Sequence, residues 1–360
     1  MSTGPSKKRA PAAGAPAPEA RAVRTKIVDV AREAGVSITT VSHALNGRGQ
    51  VDPNTREAVK RVALRLGYRP NRHAQQLRRG STQMIALVSS MPFAVAGGPS
   101  RLGFMMEIAA AAASVALERG LALVLVPPSQ SGAIAIESIE VDGAIVLEPA
   151  AADAQLAHLA ERGIPVVTIG RQPGAAALRL PSVDLRSADT TRQLLEHLRA
   201  QGARRIALLS GAQERSPYTD AVAAYAEFAA AHRMTPLVVR ADEAQGEEAG
   251  RAATAELLAR HAEVDAICAP VDAFAVGAAR ALRELGRAVP RDVMVATRYD
   301  GWRARECMPP LTALNLHLEA VATLAIELLL EHLRGDTKRQ VLRAPDAALV
   351  PRESTRRAPR

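Results

Sequence analysis

The sequence predicts a protein of two parts, a small all-α unit at the N-terminus and a larger α/β core with two parallel-sheet lobes. Short amphipathic segments separated by glycines occupy roughly residues 23–69. From Met84 onward, unbroken apolar runs alternate with amphipathic segments, which is the pattern of βαβ units in a parallel sheet. This pattern continues for about 270 residues, too many for one sheet, so we expect two similar lobes.

The composition limits the class of protein. The chain has 360 residues, of which 48% are hydrophobic but only 2% aromatic, so Leu, Val, Ile and Ala must fill the core. Cys268 and Cys307 are not in a paired motif, which argues for a reducing compartment and against a disulfide or zinc framework. We find neither an apolar run of about 20 residues nor a secretory signal, so we expect a cytoplasmic protein without a membrane span.

The net charge of +9 is unevenly distributed. Residues 1–80 contain 16 Lys and Arg against 5 Asp and Glu, whereas the remaining residues contain 30 against 32. A charge run is usually a solvated face, but this segregation is typical of a module that binds a polyanion. Nucleic acid is the expected partner.

The stretch Asp29–Asn46, DVAREAGVSITTVSHALN, predicts two short helices around a tight turn. Gly35 can take the left-handed conformation that ends a helix, and Ser37 stands at the N-cap position of the second helix. Val41 and Leu45 continue an apolar stripe at i, i+4 spacing. The side chains expected to point away from this stripe are Ile38, Thr39, Ser42 and His43. The pattern is that of a helix-turn-helix, although any small helical hairpin shares some of it.

A third helix is predicted to complete this unit. It begins at Asp52 and Pro53, an N-cap followed by proline at the first helical position, and it ends at Gly67. Its inward face would carry Val59, Val62, Ala63 and Leu66. Three small helices can then share one core.

Several motifs in fixed order carry a specific resemblance. The segments DVAREAGVS, TVSHALN, TREAV, LGYRPNR and AQQL resemble the DNA-binding headpiece and hinge of the LacI/GalR family of bacterial repressors. The remainder resembles the periplasmic-binding-protein-like core of the same family, so the similarity extends from about residue 25 to 352. It is strongest in the headpiece and over 289–312.

The resemblance implies roles for headpiece residues. The expected base contacts are Ile38, Thr39 and His43, because Thr and His can hydrogen-bond base edges and Ile can contact a thymine methyl. The expected phosphate contacts, which set register, are Thr40, Ser42, Asn46 and Asn71, with Arg48 and Arg72 adding charge. In relatives the hinge folds on operator DNA, so Ala74 and Leu77 are expected in the minor groove, with Leu77 as the wedge. The alternative is an ordinary linker with a chance leucine.

The domain boundaries follow from these patterns. We predict a disordered basic arm over 1–22, a headpiece over 23–69, a hinge over 70–82, a core over 83–352 and a tail over 353–360. Lobe 1 would comprise about 83–180 plus 313–338, and lobe 2 about 181–310 plus 339–352. The predicted strands are 84–90, 121–127, 142–149, 164–170, 182–185, 204–211, 235–240, 264–270 and 292–298. The predicted core helices are 102–119, 153–162, 187–201, 219–232, 247–261 and 273–285.

The effector site is expected outside the carboxyl ends of strands. The resemblance implies Asp300, Arg215, Asp272 and Tyr299, and Arg298, which departs from the family pattern, is a further candidate because it directly precedes Tyr299. Asp300 can accept two hydroxyls of a sugar or nucleoside, but it can equally cap a turn. The family's ligand-gripping Arg falls on Ala221 and its usual Asn on Val271, which puts a simple sugar in doubt. Arg298, in place of a Gly, can favour an anionic ligand, and Trp302 can offer a stacking face.

Two other segments depart from a simple pattern. Residues 128–141 are too short for the helix that relatives carry there, so we expect one edge of lobe 1 to be trimmed, and the role of that edge in dimer contacts or ligand enclosure stays open. The Gly-rich run 96–104 precedes a helix and can present amides to a phosphate or sugar, although a plain loop explains it as well.

Catalysis finds no support, because we find no nucleophile elbow, Walker loop, HExxH or dinucleotide fingerprint. We therefore expect no enzyme, no cofactor and no metal, and a small-molecule effector of unknown identity. The leading hypothesis is a ligand-responsive transcriptional regulator that acts as a repressor. It would bind a pseudo-palindromic operator on double-stranded DNA as a homodimer, in the cytoplasm and associated with the nucleoid. A solute-binding receptor and a Rossmann-like enzyme with a fused DNA-binding head are the alternatives.

Overall fold

The structure is a computed structural model that describes residues 25–47, 49–68, 81–96, 103–126, 136–174 and 178–356. The chain divides into two compact units, Met1–Gly80 and Ser81–Arg360. The predicted arm over 1–22 and parts of the segments at 96–104 and 128–141 lie outside the described residues, as do residues 70–80 of the hinge.

The first unit contains three helices, as the sequence predicts. They are α1 (Ile27–Ala34), α2 (Ile38–Asn46) and α3 (Pro53–Arg65). Gly35 ends α1 in the left-handed conformation, at φ 66°, which a Cβ would disfavour. Asp52 caps α3 by accepting a hydrogen bond from the Thr55 amide at 3.0 Å. The shared core consists of Val30, Ala31, Val41, Ala44, Val59 and Ala63.

The first lobe of the second unit is a six-stranded parallel sheet in the order β11-β5-β4-β3-β1-β2. Its strands are β1 (Met84–Ser89), β2 (Ala122–Val126), β3 (Gly143–Leu147), β4 (Val166–Ile169), β5 (Ser182–Asp184) and β11 (Val341–Arg343). Its helices are α4 (Phe93–Ala96), α5 (Phe104–Glu118), α6 (Ala154–Glu161) and α12 (Leu318–Leu333). Helix α12 packs against α5 and against β3, β4 and β5. The two central strands of this sheet, β4 and β3, are fully buried.

The second lobe is a four-stranded parallel sheet in the order β7-β6-β8-β9. Its strands are β6 (Ile206–Gly211), β7 (Val238–Ala241), β8 (Ala266–Ala269) and β9 (Met294–Thr297). Its helices are α7 (Ser187–Ala200), α8 (Ser216–Ala231), α9 (Glu247–Arg260), α10 (Asp272–Glu284) and α11 (Trp302–Glu306). A short antiparallel pair, β10 (Ala313–Asn315) with β12 (Ala348–Val350), adjoins β9 through the bridge between Ala296 and Thr312. The fold class predicted from the sequence is confirmed.

The boundary between the lobes differs from the predicted one. Residues 182–184 and 341–343, which we assigned to lobe 2, form β5 and β11 of the first sheet, because β5 pairs with β4 and β11 pairs with β5. The chain therefore crosses between the lobes after β5, after β10 and after β11. Two of these crossings share a local geometry: Arg186 and His317 have positive φ, and their amides donate to Asp184 and Asn315.

The predicted tail is also part of the second lobe. Ser354 and Thr355 are fully buried. The Ser354 hydroxyl donates to the Val295 carbonyl at 2.6 Å and accepts from the Thr312 amide at 2.8 Å. These bonds fasten the segment to β9, so the tail prediction over 353–360 is wrong at least as far as Thr355.

Hydrogen bonds to Asp142 fix the first residues of the second unit. Its carboxylate accepts hydrogen bonds from the Thr82 amide at 2.6 Å, the Gln83 amide at 2.8 Å and the Ser81 hydroxyl at 2.6 Å. Burial raises the pKa of Asp142, but these hydrogen bonds outweigh burial and the pKa lies below its ordinary value. The chain is thus fixed from Ser81 onward.

Among the described helices, none combines the length and apolar character that crossing a bilayer requires. In the same part of the chain, no three His, Cys, Asp or Glu side chains lie together as a metal site would need.

Candidate DNA-binding surface and effector cleft

Helix α2 is held in the first unit by its cap and its buried face. The Ser37 hydroxyl accepts a hydrogen bond from the Thr40 amide at 3.0 Å, which satisfies a donor at the helix N-terminus. Val41 and Ala44 are almost completely buried. The opposite face is therefore turned to solvent.

The three predicted base-contact residues share this solvent face. Ile38 is 42% exposed, and Thr39 and His43 are exposed as well. The His43 ring lies against Gly49, where a Cβ would come within 2.7 Å of Nδ1. Gly49 has φ +69°, so both its conformation and its small size allow the ring to lie there. The arrangement presents one apolar and two hydrogen-bonding side chains together.

The predicted phosphate-contact residues differ in their exposure and in their hydrogen bonds. Thr40 is half-buried and its hydroxyl lies 2.9 Å from that of Ser37, whereas Asn46 is exposed and donates to the Ser42 carbonyl at 2.8 Å. Ser42, expected to point away from the core stripe, is only 8% exposed. It follows Val41 directly, so it lies at the edge of the packed face.

The remaining predicted DNA contacts lie outside the described residues. They are Asn71, Ala74, Leu77, Arg48 and Arg72.

A narrow cleft separates the two lobes at the carboxyl ends of β3, β8 and β9. The first lobe contributes Met91, Val95, Phe104 and Glu148. The second lobe contributes Tyr218, Pro270, Val271, Asp272, Arg298 and Tyr299. The free space is about 20 Å³, room for about one water molecule and far below the roughly 300–1,000 Å³ of a ligand pocket. Between the described residues the cleft is therefore closed.

Arg215 spans the cleft from the start of α8. Its Nε donates to the Glu243 carboxylate at 2.9 and 3.1 Å, within the second lobe. Its Nη1 donates to the Glu148 carbonyl at 2.6 Å and its Nη2 to the Ser90 carbonyl at 2.8 Å, in the first lobe. The Tyr218 hydroxyl also donates to Glu243. Burial, followed by the negative charge of Glu243, raises the pKa of Tyr218, so its hydroxyl stays a donor.

Arg298 makes a second connection across the cleft. Its Nη2 pairs with the carboxylate of Glu148, and its Nη1 donates to the Ser187 hydroxyl at 3.1 Å. Arg298 is 5% and Glu148 3% exposed. Because Glu148 already neutralises the guanidinium, Arg298 gives no unpaired positive charge to favour an anionic ligand.

Asp272 is the first residue of α10 and is almost fully buried. Its carboxylate accepts from the Ala273 amide at 2.8 Å and lies 3.5 Å from Nη1 of Arg303, which also pairs with Glu247 at 3.2 Å. Burial raises the pKa of Asp272, and the charge of Arg303 opposes this rise only in part. Val271, at the lost Asn position, lines the cleft beside Asp272.

Tyr299 and Asp300 are adjacent in sequence, but their side chains bind different partners. The Tyr299 hydroxyl donates to Glu107 of the first lobe. Asp300 pairs instead with Arg352 at 2.6 Å and Arg305 at 3.3 Å, and it is not among the residues that line the cleft. In this closed arrangement two arginines bind the Asp300 carboxylate, and both of its predicted roles, ligand contact and turn cap, stay predictions.

Three further positions complete the comparison with the sequence. Ala221 and Ala224, the second of which stands where the family has a Gly three residues after its Arg, are buried within α8, and Trp302, at the start of α11, is 50% exposed. None of the three lines the cleft.

Sequence reasoning missed Glu148 and Glu243, the two carboxylates that neutralise the cleft arginines. Glu148 directly follows an apolar strand, the same signal that singled out Tyr299 and Asp300, so it could have been found. Glu243 begins a 3-10 helix of three residues (Glu243–Gln245) among other acidic residues, and no local sequence signal distinguishes it.

Comparisons with known proteins agree with this architecture. Residues 26–71 match the model of bacterial regulatory proteins of the lacI family, and residues 195–355 match that of the periplasmic binding protein-like domain. The HTH-type transcriptional regulator CelR of Thermobifida fusca is 34% identical over 336 residues, which span 90% of this chain and 96% of that relative.

Solved structures show the same likeness. The transcriptional regulator CelR in complex with cellobiose is 32% identical, with a TM-score of 0.67 over 92% of this chain and 100% of the other. The lac repressor dimer bound to operator and the anti-inducer ONPF is 27% identical, with a TM-score of 0.75 over 92% of this chain and 99% of the other.

A helix-turn-helix unit followed by a two-lobed, periplasmic-binding-protein-like core defines a class of transcriptional regulators that bind DNA and are not enzymes. Within that class, this chain belongs to the LacI family.

Proposed function

We propose that this regulator binds a pseudo-palindromic operator as a homodimer and represses transcription from it. The observation that carries the proposal is the solvent-exposed part of α2, where Ile38, Thr39 and His43 are exposed while Val41 is buried. In a helix-turn-helix the second helix enters the major groove, and a two-fold dimer presents two such helices to two half-sites. The lac repressor, solved as a dimer on its operator, supports this arrangement.

We further propose that a sugar or a related metabolite acts as effector in the cleft of the second unit. The support is the similarity to CelR, which was solved with cellobiose. Arg215, Arg298, Asp272 and Tyr299 would contact the ligand once the cleft opens, whereas Asp300 would first have to leave its arginine partners. The protein would act in the cytoplasm, at the nucleoid.

The headpiece contacts follow from the same proposal. Thr40, Asn46 and Asn71 would bind phosphates. Ser42 would do so only through the small exposed part of its side chain. Ala74 and Leu77 would enter the minor groove at the operator centre, where an inserted apolar side chain unstacks a base step and bends the duplex. Substituting Leu77 by Ala should then weaken operator binding strongly without unfolding the protein.

A gel-shift assay with DNA from upstream of the protein's own gene tests the proposal. The wild-type chain should give a discrete shift that survives excess random competitor DNA. The double substitution Thr39→Ala and His43→Ala should abolish it, because both side chains are exposed and their loss leaves the core intact. A wild-type shift that competitor removes completely would refute sequence-specific binding.

A further inference from the structure

The geometry points to a latch in which three arginines of the second lobe, Arg215, Arg298 and Arg303, close the cleft in place of an effector. The effector would then bind the open cleft and would have to separate Arg298 from Glu148. This inference rests on the proposed effector site and specifies how that site is regulated.

Arg298 occupies the space that a ligand would need. Its guanidinium lies between Glu148 of the first lobe and Ser187 at the start of α7. Both members of the Arg298–Glu148 pair are at least nine-tenths buried, and about 20 Å³ remains free beside them. A ligand with several heavy atoms cannot enter while this pair is formed.

The other two arginines bind main-chain carbonyls of the first lobe. Arg215 donates to the carbonyls of Glu148 and Ser90 at 2.6 and 2.8 Å. Arg303 donates to those of Ala94 and Val95 at 2.7 and 3.0 Å. Closure removes these carbonyls from water, and the guanidinium donors replace the lost hydrogen bonds.

The charges in the closed cleft are matched. Arg298 faces Glu148, Arg215 faces Glu243, and Arg303 faces Asp272 together with Glu247, which is partly exposed. An unpaired buried charge would oppose closure strongly, so this matching allows the lobes to close without a ligand. A charged ligand would add an uncompensated charge to the cleft, whereas a neutral ligand would have to separate only Arg298 from Glu148.

The energetic consequence is a competition between latch and ligand. A ligand that binds only the open cleft shifts the population from closed to open, and its apparent affinity is reduced by the fraction of molecules that are closed. Weakening the latch therefore opens the cleft in the absence of any ligand.

Hydrogen exchange on the full-length protein, without DNA or effector, tests the latch. The Ala151 amide of the first lobe donates to the Glu214 carbonyl of the second lobe at 2.9 Å, so its protection reports closure. We expect protection in the wild type. Arg298→Met, which removes the donors but keeps much of the volume, and the nearly isosteric Glu148→Gln should each accelerate exchange at Ala151 by about tenfold or more.

Two controls separate opening from unfolding. Amides within β3, such as that of Ile145, should stay protected in both variants. Arg280→Met makes the same chemical change at an exposed arginine whose partner, Glu284, lies on the same helix, and it should leave Ala151 protected.

Free exchange at Ala151 in the wild type, or unchanged protection in both variants, would overturn the latch. Neither outcome bears on operator binding, which the gel shift measures separately.

Discussion

The buried arginines of the cleft are the residues whose energetics the structure defines most clearly. Arg215 is 4% and Glu243 1% exposed, and Tyr218 completes their group. A buried ion pair adds little net stability compared with an apolar pair, but removing one partner leaves an uncompensated charge. The loss of either member is therefore costly.

Replacing Glu243 with Ala should lower the free energy of unfolding of the core by about 3 kcal/mol, because Arg215 and the Tyr218 hydroxyl both lose their acceptor. Urea denaturation followed by circular dichroism measures this. Glu284→Ala, which removes a carboxylate from the exposed pairs with Arg251 and Arg280, is the matched control and should leave the midpoint unchanged. Equal effects of the two substitutions would contradict the importance of burial.

His43 permits a test of base recognition at a single position. Because its ring stands exposed against Gly49, His43→Ala should change the preference at one or two operator positions while other positions keep theirs. Binding to a library of operator variants measures the preference. A uniform loss across all sequences would instead assign His43 to phosphate contact.

The residues of the site differ in how far the sequence predicts them. Arg298 was singled out because it stands where relatives have a Gly, but its partner Glu148 lies 150 residues earlier, and only the folded chain brings the two together. The side-chain direction of Arg298 depends on that partner. A sequence pattern can therefore locate a charged residue at a cleft without showing whether its charge is already neutralised.

The positions of helices and strands are more predictable than the way they pair in the fold, because the sequence signals that start and end an element are local. Caps, glycines and apolar periodicity locate α1, α2 and α3 and the buried strands to within a few residues. The sequence located β5 but assigned it to the wrong lobe, and it did not predict β11. A strand of three residues gives no pattern that assigns it to a sheet. Their place follows from hydrogen bonds to β4 and to each other.

The N-cap of α2 supports a prediction about this element. Ser37→Ala should destabilise the helix by about 1 kcal/mol, because the Thr40 amide loses its acceptor. The Val41 amide, which donates to the Ser37 carbonyl, should then exchange about fivefold faster.

Ser37→Asp supplies the control for this experiment. Aspartate keeps the cap, so the exchange rate at Val41 should stay near that of the wild type, while its charge beside the DNA should reduce affinity. Faster exchange in Ser37→Asp than in Ser37→Ala would contradict the capping role.

At the scale of the whole molecule, charge and function are divided between the units. The excess of positive charge lies within residues 1–80, whereas the part with the cleft is nearly neutral. Attraction to phosphates therefore belongs to the first unit and ligand control to the second.

This division predicts the salt dependence of DNA binding. If each subunit neutralises several phosphates, the logarithm of the association constant should fall linearly with that of the salt concentration, and affinity should drop on the order of 10³-fold or more between about 50 and 200 mM salt. Fluorescence anisotropy with a labelled operator measures the slope. An affinity that does not change over this range would contradict recognition through a basic headpiece.

The three crossings between the lobes also limit how such a gene can be recombined. Each lobe is assembled from separate stretches of the chain, whereas the three helices of the first unit come from one continuous stretch. A single genetic exchange near codon 80 can therefore transplant operator preference onto a different sensor intact. An exchange of one lobe alone would need several simultaneous breakpoints, so new pairings of operator and signal are expected to arise at that junction.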